Sequence, residues 1–192
     1  MSATSSTMLA LGGVAVPFEL PNVASDHSVV SLSDFSAKPV LIMFICNHCP
    51  FVLHLLPCMG ELANTAQSNG IGVIAISSND ALAYPQDGPQ AMHEFAKQHG
   101  FEFPYLYDES QSTAKAYQAA CTPDFYLFDG DHRLCYRGQM DGARPGNSVT
   151  VNGADLQAAI DALLSGSQIA QQQLPSIGCS IKWKPGQTPN YS

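Results

Sequence analysis

The chain has 192 residues, 45% of them apolar and only 12% charged, which is enough for one hydrophobic core and short for two. Its formal net charge is −8 and no run of lysine or arginine occurs, so neither nucleic acid nor an anionic membrane is expected as a partner. No stretch approaches the ~18 consecutive apolar residues of a membrane-spanning helix.

The first 13 residues are rich in Ser, Thr, Gly and Ala and read as loose. Residues 8–16 are apolar, but no basic residue precedes them. A secretory signal is therefore not expected, and the cytoplasm is the expected location. Residues 14–20 and 29–32 are predicted as short strands around a turn at Ser25, Asp26 and His27. Residues 33–35 read as a helical turn.

Residues 40–45 (VLIMFI) form a continuous apolar run, the pattern of a strand buried on both faces. Cys46 follows at once. Then Phe51, Val52, Leu55, Leu56, Met59, Leu62, Ala63 and Ala66 recur at helical spacing. Pro57 is expected to kink that helix, and Asn69-Gly70 to end it. A second buried strand is predicted over 71–76, followed by a polar loop over 77–88. Pro89 opens a helix that runs to His99 and stops at Gly100. A short strand is predicted over 105–107, then a helix capped by Ser110 and carrying Ala114 and Tyr117. Residues 125–128 and 134–137 read as a hairpin. The last predicted helix spans 153–164, with Leu156, Ala159, Ile160, Leu163 and Leu164 inward. Beyond Gly166 lies a 26-residue tail, 167–192, whose stretch 177–183 is too apolar for a linker.

Alternating strands and helices predict an α/β fold, a central mixed sheet flanked by helices. One domain over 1–192 is expected, with its core at about 14–166 and the tail packed on it.

The chemistry concentrates in Cys46-Asn47-His48-Cys49. Two cysteines three apart, between a buried strand and a helix, can close a disulfide. The free amides and the dipole of a first helical turn favour a thiolate there. His48 adds a positive charge when protonated. Cys46, taken as the exposed member, is expected to attack a partner disulfide, and Cys49 to resolve it. A metal site is the rival: Cys46, His48 and Cys49, with Cys179 or His54, offer ligands for zinc or copper. Cys121 reads either as an accessory thiol or as inert. Cys179 reads either as a resolving thiol or as an anchor for the tail. Cys58 and Cys135 read as core. His27, His93, His99 and His132 read as surface or turn residues. Arg137 and Arg144 are candidates for the cleft wall, or for structural ion pairs. Pro123 stands before an apolar strand, which marks a strand start or a special bond.

Several blocks together carry a family likeness. They are Phe44-Ile45-Cys46-Asn47-His48-Cys49-Pro50-Phe51-Val52, Ser78-Asn79-Asp80, Cys121-Thr122-Pro123-Asp124-Phe125 and Tyr136-Arg137-Gly138-Gln139, with residues 103–109 and 175–184. The chain resembles peroxiredoxin-like proteins of the thioredoxin superfamily, akin to alkyl hydroperoxide reductase and thiol-specific antioxidant. The resemblance implies a thioredoxin fold with an N-terminal extension and an ordered tail. It also implies a cis bond before Pro123, in a groove where Asn47, Pro50, Thr122 and Pro123 meet a partner peptide. The implied activity is thiol–disulfide exchange in cell redox homeostasis, without a cofactor and with no bound metal. The partners would be protein or small-molecule thiols and disulfides, or peroxides, and the protein a monomer or homodimer. Thiol peroxidase (antioxidant) activity and a non-enzymatic metal-binding or redox-sensing module are the alternatives. The peroxidase pattern is broken at Cys46, where such proteins carry Thr or Ser, and no dedicated Arg can be placed. Val40 stands where many thioredoxins bury an acid, and Ile45 where they carry Trp.

Overall fold

The computed structural model describes residues 3–25 and 28–191. In chain order, β1 is Ala3–Ser5, β2 Glu19–Pro21, β3 Val29–Ser31 and β4 Val40–Phe44. Helix α1 is Pro50–Ser68, β5 Gly72–Ser77, α2 Pro89–Gln98, β6 Tyr105–Tyr107 and α3 Ser112–Ala116. β7 is Cys121–Thr122, β8 Asp124–Phe128, β9 Leu134–Gly138, α4 Ala154–Leu164 and β10 Ile177–Ser180. No described helix is long and apolar enough to cross a membrane.

The central sheet has the order β6-β5-β4-β8-β9. β4, β5 and β6 are parallel; β8 pairs antiparallel with β4, and β9 antiparallel with β8. β4 lies in the middle, which is why all five of its residues are apolar and fully buried. Its side chains alternate between two cores. Leu41 and Met43 join α1, α2 and α4 on one face. Val40, Ile42 and Phe44 join Ala114, Tyr117, Phe18, Leu20 and Ile181 on the other. Helix α1 buries Val52, Leu55, Leu56, Met59, Leu62, Ala63 and Ala66 in the first core, and it continues through Pro57 as one element.

The main elements follow the sequence pattern, and the exceptions have local causes. Residues 14–20 are not one strand. Pro17 lacks a donor, so Val14 makes only an isolated bridge to Arg133, and β2 starts at Glu19. Its partner β3 pairs in register Leu20↔Val30; Asp26 and His27 of the expected turn lie outside the described residues. Ser110 is not the cap of α3. Gln111 holds that place at φ 62°, and Asp108 Oδ2 takes the Ala114 amide at 2.9 Å. Leu164 is 44% exposed, not inward. His93 and His132 are half-buried, bonded to the carbonyls of Val23 at 3.0 Å and Phe35 at 3.1 Å.

Residues 3–7 are not loose either. β1 pairs with β10, and β10 pairs with β7, giving a second sheet of order β1-β10-β7. The registers are Ala3↔Cys179 and Cys179↔Thr122. The Ser6 hydroxyl donates to buried Asp124 at 3.2 Å, and Thr7 to the Gln118 carbonyl at 2.9 Å. The tail is thereby a sheet strand of the domain. Gly178 permits this approach: a Cβ there would lie 2.0 Å from the Thr122 carbonyl oxygen. Replacement Gly178→Ala is expected to cost about 1–3 kcal/mol of stability through overpacking. Urea unfolding should show that loss, and amide exchange should speed up first in β1 and β10.

Candidate active site

The Ile45 amide still bonds the Ile76 carbonyl at 3.0 Å, so the sheet holds the chain up to Cys46. Three residues later Cys49 stands immediately before α1, with Pro50 as the first helical residue. Proline suits that place because its amide would be unpaired there anyway. Cys46 Sγ lies 3.3 Å from Thr122 Oγ1, and the Cys49 thiol donates to the Thr122 carbonyl oxygen at 3.1 Å. The Thr122–Pro123 bond is cis, as the resemblance implied. One residue at the end of β7 therefore touches both sulfurs.

The two sulfurs differ in acidity. The Cys46 thiol donates to Cys49, the largest influence drawing the Cys49 thiol down to about 5. Burial opposes the shift, while the Cys179 thiol and the amides of Val52 and Cys179 reinforce it. Cys46 is pushed well above the usual thiol range by that same bond, by burial and by the nearby Asp87 carboxylate. Of the two thiols, Cys49 is the one drawn toward the thiolate, with the Val52 amide of α1 and the Cys179 amide of β10 among the groups that favour its charge. Cys46 is not an exposed member of the pair: it is 1% exposed, against 0% for Cys49.

A buried acid organises the other side. Asp87, at 0% exposure, accepts the Asn47 amide at 2.8 Å and the Asn79 side-chain amide at 2.8 Å. His48 Nδ1 approaches Asp87 Oδ2 to 2.6 Å, without the alignment of a hydrogen bond. The His48 ring stacks on Tyr84 with centroids 5.5 Å apart. His48 is therefore engaged with Asp87, and the shift of Cys49 has its causes elsewhere. Asn47 does not face an open groove. Its side chain donates to the Gln86 carbonyl at 2.8 Å and accepts from the Tyr105 hydroxyl at 3.0 Å. Pro50 is exposed, but Thr122 and Pro123 are buried under β10, so the tail fills the expected groove.

The remaining candidates separate clearly. Cys179 lies against Cys49. Cys121 is buried and its thiol is pushed far up by burial and by Asp124. Cys58 and Cys135 are half-buried, and Cys135 donates to the Leu127 carbonyl at 3.2 Å. Arg137 is fully buried in an ion pair with Asp124 at 3.2 Å, and it also donates to the Gln118 carbonyl at 3.1 Å. Arg144 donates to the carbonyl of Asp141 at 2.7 Å. Among the described residues, the metal-ligand types that come within 4.8 Å of one another are Cys46, His48 and Asp87. Cys49, Cys179 and His54 are not in that group, contrary to the ligand sets read from sequence.

This constellation can be compared with known proteins. The AhpC/TSA family model matches residues 11–137, about two thirds of the chain. The chain belongs to the AhpC/TSA family. An uncharacterized conserved protein of Geobacillus kaustophilus is 53% identical, with a TM-score of 0.94 over 97% of this chain and 98% of that one. Thiol-disulfide oxidoreductase ResA of G. kaustophilus (strain HTA426) is 25% identical over 71% of this chain and 75% of its own length. The thioredoxin domain of thiol-disulfide oxidoreductase BVU-2223 from Bacteroides vulgatus superposes with a TM-score of 0.57 at 18% identity, covering 67% and 88% of the two chains. The fold of this AhpC/TSA protein is the thioredoxin fold.

Asp87, Tyr84 and Asn79 were not legible as site residues, because the stretch 77–88 reads only as a polar loop. One signal was available. The loop leaves the carboxyl end of parallel strand β5 beside the carboxyl end of β4, where open α/β sheets place their sites. In the reduced AhpC/TSA protein, thiolate absorbance at 240 nm is expected to rise with a midpoint near pH 5 and to disappear in Cys49→Ser. A first midpoint at pH 8 or above would contradict the assignment. Asp87 raises Cys46, so Asp87→Asn should move the second ionisation to lower pH and leave the first near 5.

Proposed function

We propose that this AhpC/TSA protein is a thiol–disulfide oxidoreductase that cycles Cys46 and Cys49 between dithiol and disulfide. The observation that carries this is the dithiol at the start of α1, with Cys46 Sγ beside Thr122 Oγ1 and the Cys49 thiol on the Thr122 carbonyl. The name of the curated relative, a thiol-disulfide oxidoreductase, supports the same reaction.

In the reducing direction the Cys49 thiolate attacks one sulfur of a partner disulfide. That bond breaks, and the departing partner thiolate takes up a proton. Cys46 then loses its proton and attacks Cys49 Sγ, which closes the Cys46–Cys49 bond and releases the second partner thiol. Two electrons pass from the dithiol to the partner. Val40 leaves the sheet without an acid beneath the motif, and Asp87 with His48 supplies one from the loop after β5. This pair is the proton acceptor for Cys46. Half-buried His48 and exposed Pro50 mark the side from which partners approach. Those partners are protein or small-molecule thiols and disulfides.

The peroxide reading has weaker support. The Thr or Ser that such peroxidases carry three residues before the cysteine is Cys46 here, and the Arg137 guanidinium is paired with Asp124.

A lowered Cys49 pKa stabilises the reduced state and raises the potential by an amount on the order of tens of millivolts. The couple is therefore expected to lie above about −270 mV, the value of thioredoxin, when equilibrated against glutathione. Insulin reduction with dithiothreitol should be catalysed by the native protein and abolished in both Cys46→Ser and Cys49→Ser. Catalysis surviving in Cys49→Ser would overturn the proposal.

A further inference from the structure

The tail strand β10 does more than close the fold. It runs antiparallel to β7, so that Cys179 lies opposite Thr122, the residue that touches both Cys46 and Cys49. The Cys179 thiol and amide are both close enough to Cys49 to favour its thiolate. The strand is fixed on all sides. β1 pairs along its outer edge, with Ala3 opposite Cys179. The Ser176 hydroxyl donates to the Gly138 carbonyl at 2.7 Å before it, and the Lys182 amide donates to Asn79 at 2.8 Å after it. At 3% exposure, Cys179 is a buried thiol held beside a buried dithiol. An extended strand laid along Thr122, with a cysteine facing the reactive sulfur, has the geometry of a bound partner peptide, supplied by the chain itself.

We propose that Cys179 is a third redox-active thiol, which exchanges with the Cys46–Cys49 disulfide to form a Cys49–Cys179 disulfide. This rests on the dithiol–disulfide reading above and extends it. The Cys179 thiolate attacks Cys49 Sγ. The bond between Cys46 and Cys49 breaks as that between Cys49 and Cys179 forms, and Cys46 leaves as a thiolate that takes the proton Cys179 gave up. No electrons enter or leave, because the step is an isomerisation of a disulfide already made at the expense of a partner disulfide. Burial, followed by the bond to Cys49 and its charge, pushes the Cys179 thiol up to about 12 in the reduced protein. Once Cys49 is in a disulfide, both of the latter influences vanish, while Lys182 continues to favour the thiolate. Oxidation of Cys49 thus removes two of the three influences that hold Cys179 protonated, and burial remains. The exchange moves the oxidised bond to the tail and frees Cys46 beside His48 and Asp87.

The test is disulfide mapping by mass spectrometry of full-length protein after treatment with glutathione disulfide. In Cys46→Ser, Cys49 should first carry glutathione and then release it as the Cys49–Cys179 link forms. In Cys46→Ser/Cys179→Ser, the glutathione adduct on Cys49 should persist. A persistent adduct in Cys46→Ser, with Cys179 still free, overturns the proposal. Native protein provides a check free of substitutions: a subpopulation linked through Cys49 and Cys179 should accompany the Cys46–Cys49 form, and its absence also counts against the proposal. The underlying reading is tested separately by Cys179→Ser. If that variant still forms the Cys46–Cys49 bond while Cys46→Ser never links to Cys179, only the present proposal falls. If neither bond forms, both fall.

Discussion

The Cys49 thiol is drawn toward its anionic form inside the protein by donors from separate stretches of chain. Cys46 supplies a thiol from the end of β4, Val52 an amide from the first turn of α1, and Cys179 a thiol and an amide from β10. Burial alone would keep a thiol neutral. The balance tips because every donor is preplaced by a strand or a helix, so no reorganisation is needed to receive the charge. The contacts of Thr122 with both sulfurs depend on the same arrangement.

Charged groups are scarce in this chain, and several are buried. Asp124 and Arg137 pair at zero exposure on the far side of the cis bond, where burial pushes the Asp124 carboxyl up and Arg137 pulls it back. Tyr126 lies under that guanidinium at 4.7 Å and donates to Asp124 at 3.0 Å. Removing either partner would strand a charge in the core, so the pair specifies how β8, β9 and the N-terminal segment meet. Asp87 differs in role. Its oxygens accept from the motif and from the neighbouring loop, and it stands next to the reacting thiol rather than behind it.

The second sheet links the two ends of the chain to the site. β10 separates β1 from β7, so the tail is bonded on both edges and contributes directly to the electrostatics of Cys49. The close pass of Gly178 over Thr122 is the steric condition for this, since any larger residue would meet backbone rather than a movable side chain.

Much of the architecture was legible in local pattern. The unbroken apolar run of β4, the helical spacing of α1 and the strand-to-helix position of the two cysteines each follow from short stretches of chain, because periodicity and turn chemistry are local. The pairing of Cys46 with Cys49 needs nothing beyond their spacing. Which sulfur carries the charge was not legible, because it depends on Asp87, 38 residues beyond Cys49, and on Cys179, 130 beyond it. The groove at Thr122 was expected from the motif, yet its filling by β10 depends on strand pairing across 57 residues. By itself the sequence determined the elements and the reactive motif. Only the tertiary structure decided the surroundings of the two sulfurs and the place of Cys179 beside them, because hydrogen bonds and charges act through space between residues that no periodicity connects.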